Sequence, residues 1–157
     1  GRIKDKQERF AMDFFGAILQ NRILFAAALT WTMAQIIKAV LYGVIHHHFD
    51  WRRLLGDGGM PSTHSATVTS AATACGILYG LDSAVFAMAV LLPFITCHDA
   101  MHSRREIGKQ AAAIKELAKE QECEMEIALK EFVGHTPSQV VAGIILGLAM
   151  GLAVSLL

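Results

Sequence analysis

The charged residues of this chain are confined to three stretches, and this segregation constrains the fold more than any other feature of the sequence. Of 14 basic and 14 acidic side chains, all but Lys38, Asp82 and Asp99 fall within residues 1–22, 46–57 and 102–131. The intervening stretches are apolar, and several approach the roughly 20 residues that a helix needs to cross a bilayer. The sequence therefore predicts an all-α integral membrane protein.

The composition excludes several other classes of protein. Hydrophobic residues make up 54% of the chain and the formal net charge is zero. A disordered chain has fewer apolar residues, and a nucleic-acid-binding protein has an excess of Lys and Arg, so no nucleic-acid partner is expected. Cys75, Cys97 and Cys123 form no CxxC pair, and the first two lie in apolar stretches. They are interpreted as small core residues rather than as disulfides or zinc ligands.

Four segments are predicted to cross the membrane as helices, because each is close to the roughly 17–25 residues that a span requires. They are residues 23–45, 64–80, 84–101 and 137–157. The second is rich in Ala, Ser and Thr. Small side chains let helix backbones approach closely, so this segment is predicted to be buried among the other helices.

Two further segments are predicted to be helical outside the membrane, within what we treat as a single membrane domain. Residues 1–22 place an apolar face between charged residues, which is typical of a helix lying at the membrane interface. Residues 103–132 place apolar side chains at alternating spacings of four and three. This heptad pattern predicts a polar helix or helical hairpin that packs on its own protein.

The last predicted span contains glycines at four-residue spacing, Gly143, Gly147 and Gly151, which we call the glycine ridge. Such a ridge lets another helix pack at short distance. The sequence leaves two partners open. One is another helix of the same chain, and the other is a second subunit, which would make a homodimer.

The polar residues of the four predicted spans are expected to meet at one end of the bundle. With four spans, the loop 46–63 and the segment 102–136 share one side of the membrane. Lys38 lies about 10 Å below that surface, and a charge at this depth indicates a functional site, with Asp99 as its expected partner. The polar groups expected at this end are Lys38, Gly59, Ser62, Thr63, His64, His98, Asp99, His102, Arg104, Arg105, His135 and Gln139.

This set of groups favours a phosphate ligand. The N-terminus of a helix offers N–H groups and partial positive charge to an anion, and Arg presents a planar pair of donors that matches phosphate oxygens. The candidate phosphate contacts are Lys38, Arg104 and Arg105, with Gly59, Ser62 and Thr63 from the turn before the second span.

Two motifs resemble those of the type 2 phosphatidic acid phosphatases and vanadium haloperoxidases. Pro61-Ser62-Thr63-His64 is similar to their PSGH motif, and GHTPSQVVAG at 134–143 is similar to their terminal HxxxD motif. More closely, a larger set of stretches resembles the divergent PAP2 family: GGMPSTHSA, Asp99-Ala100, Arg104-Arg105, Gly108-Lys109-Gln110-Ala111 and GHTPSQVVAGIILG. This resemblance extends over residues 21–157.

The resemblance implies hydrolysis of a lipid phosphate or polyprenyl diphosphate through a phosphohistidine intermediate. By position, His135 is the expected nucleophile, and His64 is the expected acid that protonates the leaving oxygen. Histidine suits both tasks because its ordinary pKa lies near neutrality. Lys38 resembles the Lys of the family's phosphate clamp, to which Arg104 or Arg105 would add guanidinium groups. The resemblance implies no cofactor, and the implied partners are the lipid phosphate and membrane lipids.

The sequence departs from the parent motifs in three places. Ile45 and His46 stand where the first motif has Arg-Pro, and Leu129 stands where the third has Arg. Gln139 replaces an Asp that orients the nucleophile and stabilises its cationic form, and a Gln carbonyl orients the ring without supplying charge. Three acids are candidates for the missing charge: Asp99, Asp57 and Glu131. Without such a substitute, the site would bind a phosphate ligand without cleaving it.

Other functions are also consistent with parts of the sequence. His98 and His102 lie one helical turn apart with Asp99 beside them, which suggests a metal site as an alternative, although the resemblance assigns no metal. Transport fits less well, since polar residues do not recur through the depth of the membrane. The distribution of Lys and Arg favours a cytoplasmic position for the motif-bearing end.

Overall fold

The computed structural model describes residues 12–13, 15–47, 59–120 and 135–157. In these ranges all regular structure is helical, which confirms the all-α prediction. The long helices of the described ranges are α1 (Arg22–His46), α2 (Thr63–Tyr79), α3 (Ala84–Met101), α4 (Ser103–Glu120) and α5 (Pro137–Leu156). Residues 15–19 form a short helical stretch ahead of α1.

Polar caps mark the starts of the first three helices. Asn21 Oδ1 accepts hydrogen bonds from the first turn of α1, and Ser62 and Ser83 cap α2 and α3 in the same way. Such caps satisfy N–H groups that have no partner inside the helix. α2 ends at Gly80, whose positive φ of 87° suits glycine and turns the chain back into α3.

α2 lies at the centre of the bundle, where it contacts α1, α3 and α5. Nine of its 17 residues are buried, although it is rich in Ala, Ser and Thr. By contrast, only Cys97 and Ala100 are buried in the more apolar α3. The prediction that the least hydrophobic of the four predicted spans is an internal helix is therefore confirmed. Its small side chains suit close helix packing, whereas the large apolar side chains of α3 face outward.

The glycine ridge of α5 packs directly on the backbone of α2. A Cβ added to each glycine in turn would lie 2.5, 2.5 and 2.8 Å from the carbonyl oxygens of Ser62, Ala66 and Ser70. The partner of the ridge is therefore a helix of the same chain. This corrects the alternative in which a homodimer forms through the ridge, because α2 already covers the three glycines and buries them.

The ridge also fixes the directions of the helices. Successive glycines meet successively later residues of α2, so α2 and α5 run parallel and begin at the same end of the bundle. α1 runs antiparallel to α2, since Thr30 Oγ1 donates to Ser70 Oγ at 2.8 Å while Thr63 Oγ1 donates to Gln35 Oε1 at 3.4 Å. The end that holds the N-termini of α2 and α5 also holds the C-terminus of α1, and we call it the site end.

Three stretches of the described residues are long and apolar enough to cross a membrane: Arg22–Ile45, Ala84–Ala118 and Pro137–Leu156. In the second stretch the apolar part is α3, because α4 is rich in charged residues. α2 has 17 residues, which gives it a length of about 25 Å against a hydrocarbon thickness of about 30 Å. Because α2 lies beside α5 and parallel to it, we propose that it forms the fourth span.

Two predicted segments lie partly outside the described residues. The predicted interfacial helix 1–22 is described only at 12–13 and from residue 15, and its position at the interface stays a prediction. The predicted polar segment 103–132 is described as far as residue 120, where α4 ends. α4 contacts α3 and buries Ala111, which is consistent with packing on its own protein.

The glycine ridge makes a testable prediction about stability. Gly147→Ala places a Cβ 2.5 Å from Ala66 O and 2.7 Å from Thr69 Cβ, so the two helices must separate. We expect a destabilisation of about 1–3 kcal/mol, seen as a lower Tm of the detergent-solubilised protein. Gly16→Ala is the control, because a Cβ there meets nothing within 4 Å. Equal Tm values for the two variants would contradict the close packing of α2 and α5.

Candidate functional site

Backbone hydrogen bonds join three motif-bearing segments at the site end. The Ser62 N–H, at the cap of α2, donates to Gln139 O in the first turn of α5 at 2.9 Å. The His135 N–H, just before α5, donates to Ala100 O at the end of α3 at 3.1 Å. The starts of α2 and α5 and the end of α3 are therefore held to one another by main-chain groups.

This arrangement brings the two motif histidines together. His64 lies in the first turn of α2, and His135 immediately precedes the cap residue of α5. Their ring centroids are 5.9 Å apart and the ring planes are inclined by 56°. His135 is buried, with 6% of its surface exposed, whereas His64 is half-buried. Two imidazoles at this separation can both reach one small group placed between them.

Gln139 holds the ring of His135 through a capping box. Thr136 caps α5, and its backbone N–H donates to Gln139 Oε1 at 3.1 Å. A backbone N–H can only donate, so the amide atom at this position is the oxygen and not the nitrogen. That oxygen also lies 3.2 Å from His135 Nδ1. Because an amide oxygen only accepts, Nδ1 carries the proton, and in the neutral ring the lone pair lies on Nε2.

Lys38 is buried near the site end of α1, with 7% of its surface exposed. Its side chain passes beneath the turn that leads into α2, and a Cβ added to Gly59 would lie 3.0 Å from Lys38 Cγ. Gly59 also has a φ of 89°, a conformation that other residues rarely adopt. The glycine thus lets the turn close over the lysine, whose charge adds to the positive ends of two helix dipoles nearby.

The hydroxyl groups before and within the first turn of α2 are bonded to the protein. Ser65 Oγ donates to Ser62 Oγ at 3.0 Å, and Thr63 Oγ1 donates to Gln35 Oε1. Ser62 and Ser65 are fully buried and Thr63 is nearly so. These contacts fix the position of the α2 N-terminus against α1. A direct contact from Ser62 or Thr63 to a phosphate stays a prediction.

Among the remaining candidates for holding phosphate or supplying charge, Asp99 is the one whose side chain the structure describes. Asp99 is exposed at the end of α3, next to the buried Ala100. Arg104 and Arg105 lie in α4, but their side chains are outside what the structure describes, and so are Asp57, Leu129 and Glu131. Their predicted roles in holding phosphate or supplying charge therefore stay predictions.

The histidines of the metal alternative are both on the surface. The His98 and His102 rings lie 5.6 Å apart, centroid to centroid, and both side chains are exposed. Within the described ranges, no group of three or more His, Cys, Asp or Glu side chains is arranged to hold a metal ion. The described geometry therefore gives the metal alternative no support.

Two features of the site escaped the sequence analysis. The Thr136-Pro137-Ser138-Gln139 segment has the S/T-x-x-E/Q pattern of a capping box, so its hydrogen bonds could have been predicted from the sequence alone. The acceptor that fixes the His135 backbone is the carbonyl of Ala100. Asp99-Ala100 belongs to the stretches that resemble the divergent PAP2 family, but the resemblance assigns this alanine no role. A main-chain acceptor of this kind depends on where the helices meet.

The comparisons with known proteins agree with the motifs. The model of a family described as "Divergent PAP2 family" matches residues 19–150. A Bacillus subtilis (strain 168) protein with the name "Uncharacterized membrane protein YuiD" is 33% identical over 152 residues, which cover 88% of this chain and 96% of that protein. No solved structure matches the chain significantly.

The capping box makes a prediction about the protonation of His135. With Gln139 as acceptor, the neutral His135 ring is expected to carry its proton on Nδ1. In Gln139→Leu the acceptor is lost, and we expect a mixture of the two neutral forms. Imidazole ¹⁵N chemical shifts of histidine-labelled protein, assigned with His135→Gln, distinguish the forms. A neutral ring protonated mainly on Nε2 in the unmodified protein would contradict the assignment.

Proposed function

This chain is an integral membrane protein of the divergent PAP2 family, and we propose that it hydrolyses a lipid phosphate or polyprenyl diphosphate at the site end. One observation carries the proposal. The rings of His64 and His135 lie 5.9 Å apart, centroid to centroid, at the N-termini of two parallel helices. Both residues belong to motifs that resemble the catalytic motifs of the wider phosphatase superfamily.

In the proposed first step, His135 Nε2 attacks the phosphorus atom of the substrate. An N–P bond forms while the bond from phosphorus to the ester or anhydride oxygen breaks, and a protonated His64 gives its proton to the leaving oxygen. The Nδ1–H···Oε1 hydrogen bond to Gln139 supports this role, since it keeps the lone pair on the attacking nitrogen. A base or nucleophile held by a third group is the usual arrangement in such catalysis.

In the proposed second step, water hydrolyses the phosphohistidine. The neutral His64 removes a proton from the water, the oxygen attacks phosphorus, and the N–P bond to His135 breaks. Inorganic phosphate leaves, and His64 is again protonated for the next cycle. The same residue thus acts as acid and then as base, which suits a side chain that titrates near neutral pH.

The proposed site holds the phosphate mainly through positive charge. The N-termini of α2 and α5 direct N–H groups and partial positive charge toward the site end. Lys38 lies beneath the turn that precedes α2 and adds a full charge at low dielectric constant. A headgroup bound here has its apolar tail in the bilayer, which is why we assign a lipid substrate.

A second candidate function is phosphate binding without cleavage, and the neutral side chain of Gln139 favours it. In the parent motif a carboxylate at this place stabilises the cationic ring. Gln139 accepts the Nδ1 hydrogen bond but adds no charge. The positive groups of the site are Lys38 and the N-termini of α2 and α5, and none of them needs a charge at position 139. A protein that only binds lipid phosphate would therefore keep these groups.

The proposed reaction predicts metal-independent release of phosphate that requires both histidines. Purified protein is incubated with a panel of lipid phosphates and polyprenyl diphosphates in the presence of a chelator. We expect His135→Ala to lower turnover by at least about 10³-fold and His64→Ala by about 10²–10⁴-fold, because they remove the nucleophile and the acid. His102→Ala is the control, since this exposed residue has no part in the proposed steps.

Each alternative outcome of this experiment has a definite meaning. Turnover only after metal is added, and lost in His102→Ala, would reject the two-histidine reaction in favour of the metal site. No turnover on any substrate, together with vanadate binding that His135→Ala weakens, would reject hydrolysis and support the binding function. Full activity of His135→Ala would remove this residue from the site.

A separate prediction concerns the effect of residue 139 on kcat. Glu can replace Gln139 without loss of the capping box, because Glu also fits this position. Gln139→Glu keeps the acceptor for Nδ1 and adds a charge, and a charged acceptor is stronger by about 1–2 kcal/mol. We expect kcat to rise roughly 5–30-fold in Gln139→Glu and to fall by at least about 10²-fold in Gln139→Leu. Unchanged kcat in Gln139→Glu would show that another acid supplies the charge. Full activity in Gln139→Leu would contradict a positioning role.

A further inference from the structure

One face of α2 at the site end is only partly covered by the described helices. Within the described helices, α2 contacts α1, α3 and α5, whereas α1 and α3 do not contact each other. α1 and α3 therefore stand on different sides of α2 with a gap between them. The burial of the α2 residues shows which face lies at this gap.

The half-buried residues in the first half of α2 share one face. They are His64, Thr67, Val68 and Ala71. Their spacings of three, one and three residues place them on a single side of a helix. The residues on the other sides over the same length are buried, including those beneath the glycine ridge. We call His64, Thr67, Val68 and Ala71 the open face. It ends at Cys75, which lies one turn further and is buried.

We propose that the open face is the binding groove for the tail of the lipid phosphate, which enters the site sideways from the bilayer between α1 and α3. The proposal rests on the proposed function, because it places the phosphate at His64 and His135. His64 is the first residue of the open face, so a tail attached to that phosphate extends along Thr67, Val68 and Ala71. The groove and the catalytic pair are thus continuous along one helix.

The chemistry of the open face suits the first part of a hydrocarbon chain. Thr67 Oγ1 donates to Thr63 O at 2.8 Å, so its hydroxyl is satisfied within the helix. Val68 adds an apolar side chain beside it, and Ala71 contributes only a methyl group, which leaves space for a ligand. From its first to its last residue the open face is about 10 Å long, and Cys75, one turn further along α2, is buried. The groove therefore holds the carbons near the headgroup, and the rest of the tail lies in the bilayer.

The test uses a probe that binds without being hydrolysed. It is a phosphonate analogue of phosphatidic acid that carries a diazirine near the start of one acyl chain. In the unmodified protein, light-induced labelling is expected on α2 at or near residues 67–71 and on the facing parts of α1 and α3. Val68→Trp fills the groove, and we expect labelling of α2 to fall by at least about fivefold.

Ile145→Trp is the matched control on α5. Ile145 is also β-branched and is 62% exposed. It precedes Gly147, which packs on Ala66 and Thr69, so it lies at nearly the same depth as Val68 but away from the gap. We expect labelling of this variant to stay within about twofold of the unmodified protein. Ala71→Leu, which adds a smaller side chain to the open face than Trp, repeats the test if Val68→Trp does not fold.

The results separate the groove from the catalysis. Labelling on α2 that falls only in the open-face variants supports the groove, even if natural lipid phosphates release no phosphate, because the phosphonate needs no turnover. Phosphate release combined with labelling that Val68→Trp leaves unchanged, or labelling on the outer face of α5, would overturn the groove but not the hydrolysis. If a second copy of the chain covers the open face, labelling avoids α2 and Val68→Trp elutes as a smaller species, which also overturns it.

Discussion

The packing of the glycine ridge on the backbone of α2 is the contact on which the rest of the structure depends. Three glycines of α5 lie against three successive carbonyls of α2, and a single added methyl group at any of them would overlap α2. This contact sets the two helices parallel and places Gly143, the seventh residue of α5, against the cap and first turn of α2. His64 lies in the first turn of α2 and His135 just before α5, so this helix packing brings their rings together. In a bilayer, where apolar burial gives helices little reason to associate, such close backbone approach is the main source of specificity.

At the start of α5, folding and the proposed chemistry use the same side chain. Gln139 Oε1 accepts the Thr136 N–H, which completes the helix cap, and also faces His135 Nδ1. The cap determines which amide atom points toward the ring, and the ring is therefore held in the form that leaves the lone pair on Nε2. The His135 backbone is fixed separately by Ala100 O. The ring and main chain of the proposed nucleophile are thus held by groups at two helix ends.

The sequence predicted the class of fold because lipid imposes a simple rule, under which long apolar stretches become helices and charges collect outside them. It also predicted that the segment rich in Ala, Ser and Thr is internal. It could not choose a partner for the glycine ridge, since small residues at this spacing suit a neighbouring helix and a second subunit equally. The capping box at Thr136 could have been predicted from its S/T-x-x-E/Q pattern. The role of Ala100 could not, because it contributes only its carbonyl, and the side chain does not indicate which main-chain groups will meet. The exposure of Asp99 was not predicted either, because helical spacing alone does not say which face the bundle covers.

The replacement of a carboxylate by Gln139 changes the balance between binding and cleavage. A phosphate monoester brings about two negative charges into a site bordered by apolar helices. A carboxylate beside His135 would stabilise the cationic ring during the reaction but would repel the bound phosphate and would itself need to be desolvated. With a neutral acceptor, no carboxylate at position 139 competes with the ligand for the positive charge of Lys38 and of the two helix N-termini. Such a site favours the bound ground state relative to the transition state, and only interactions that are stronger in the transition state increase kcat. The physical expectation is therefore a site that binds lipid phosphate tightly and turns it over slowly.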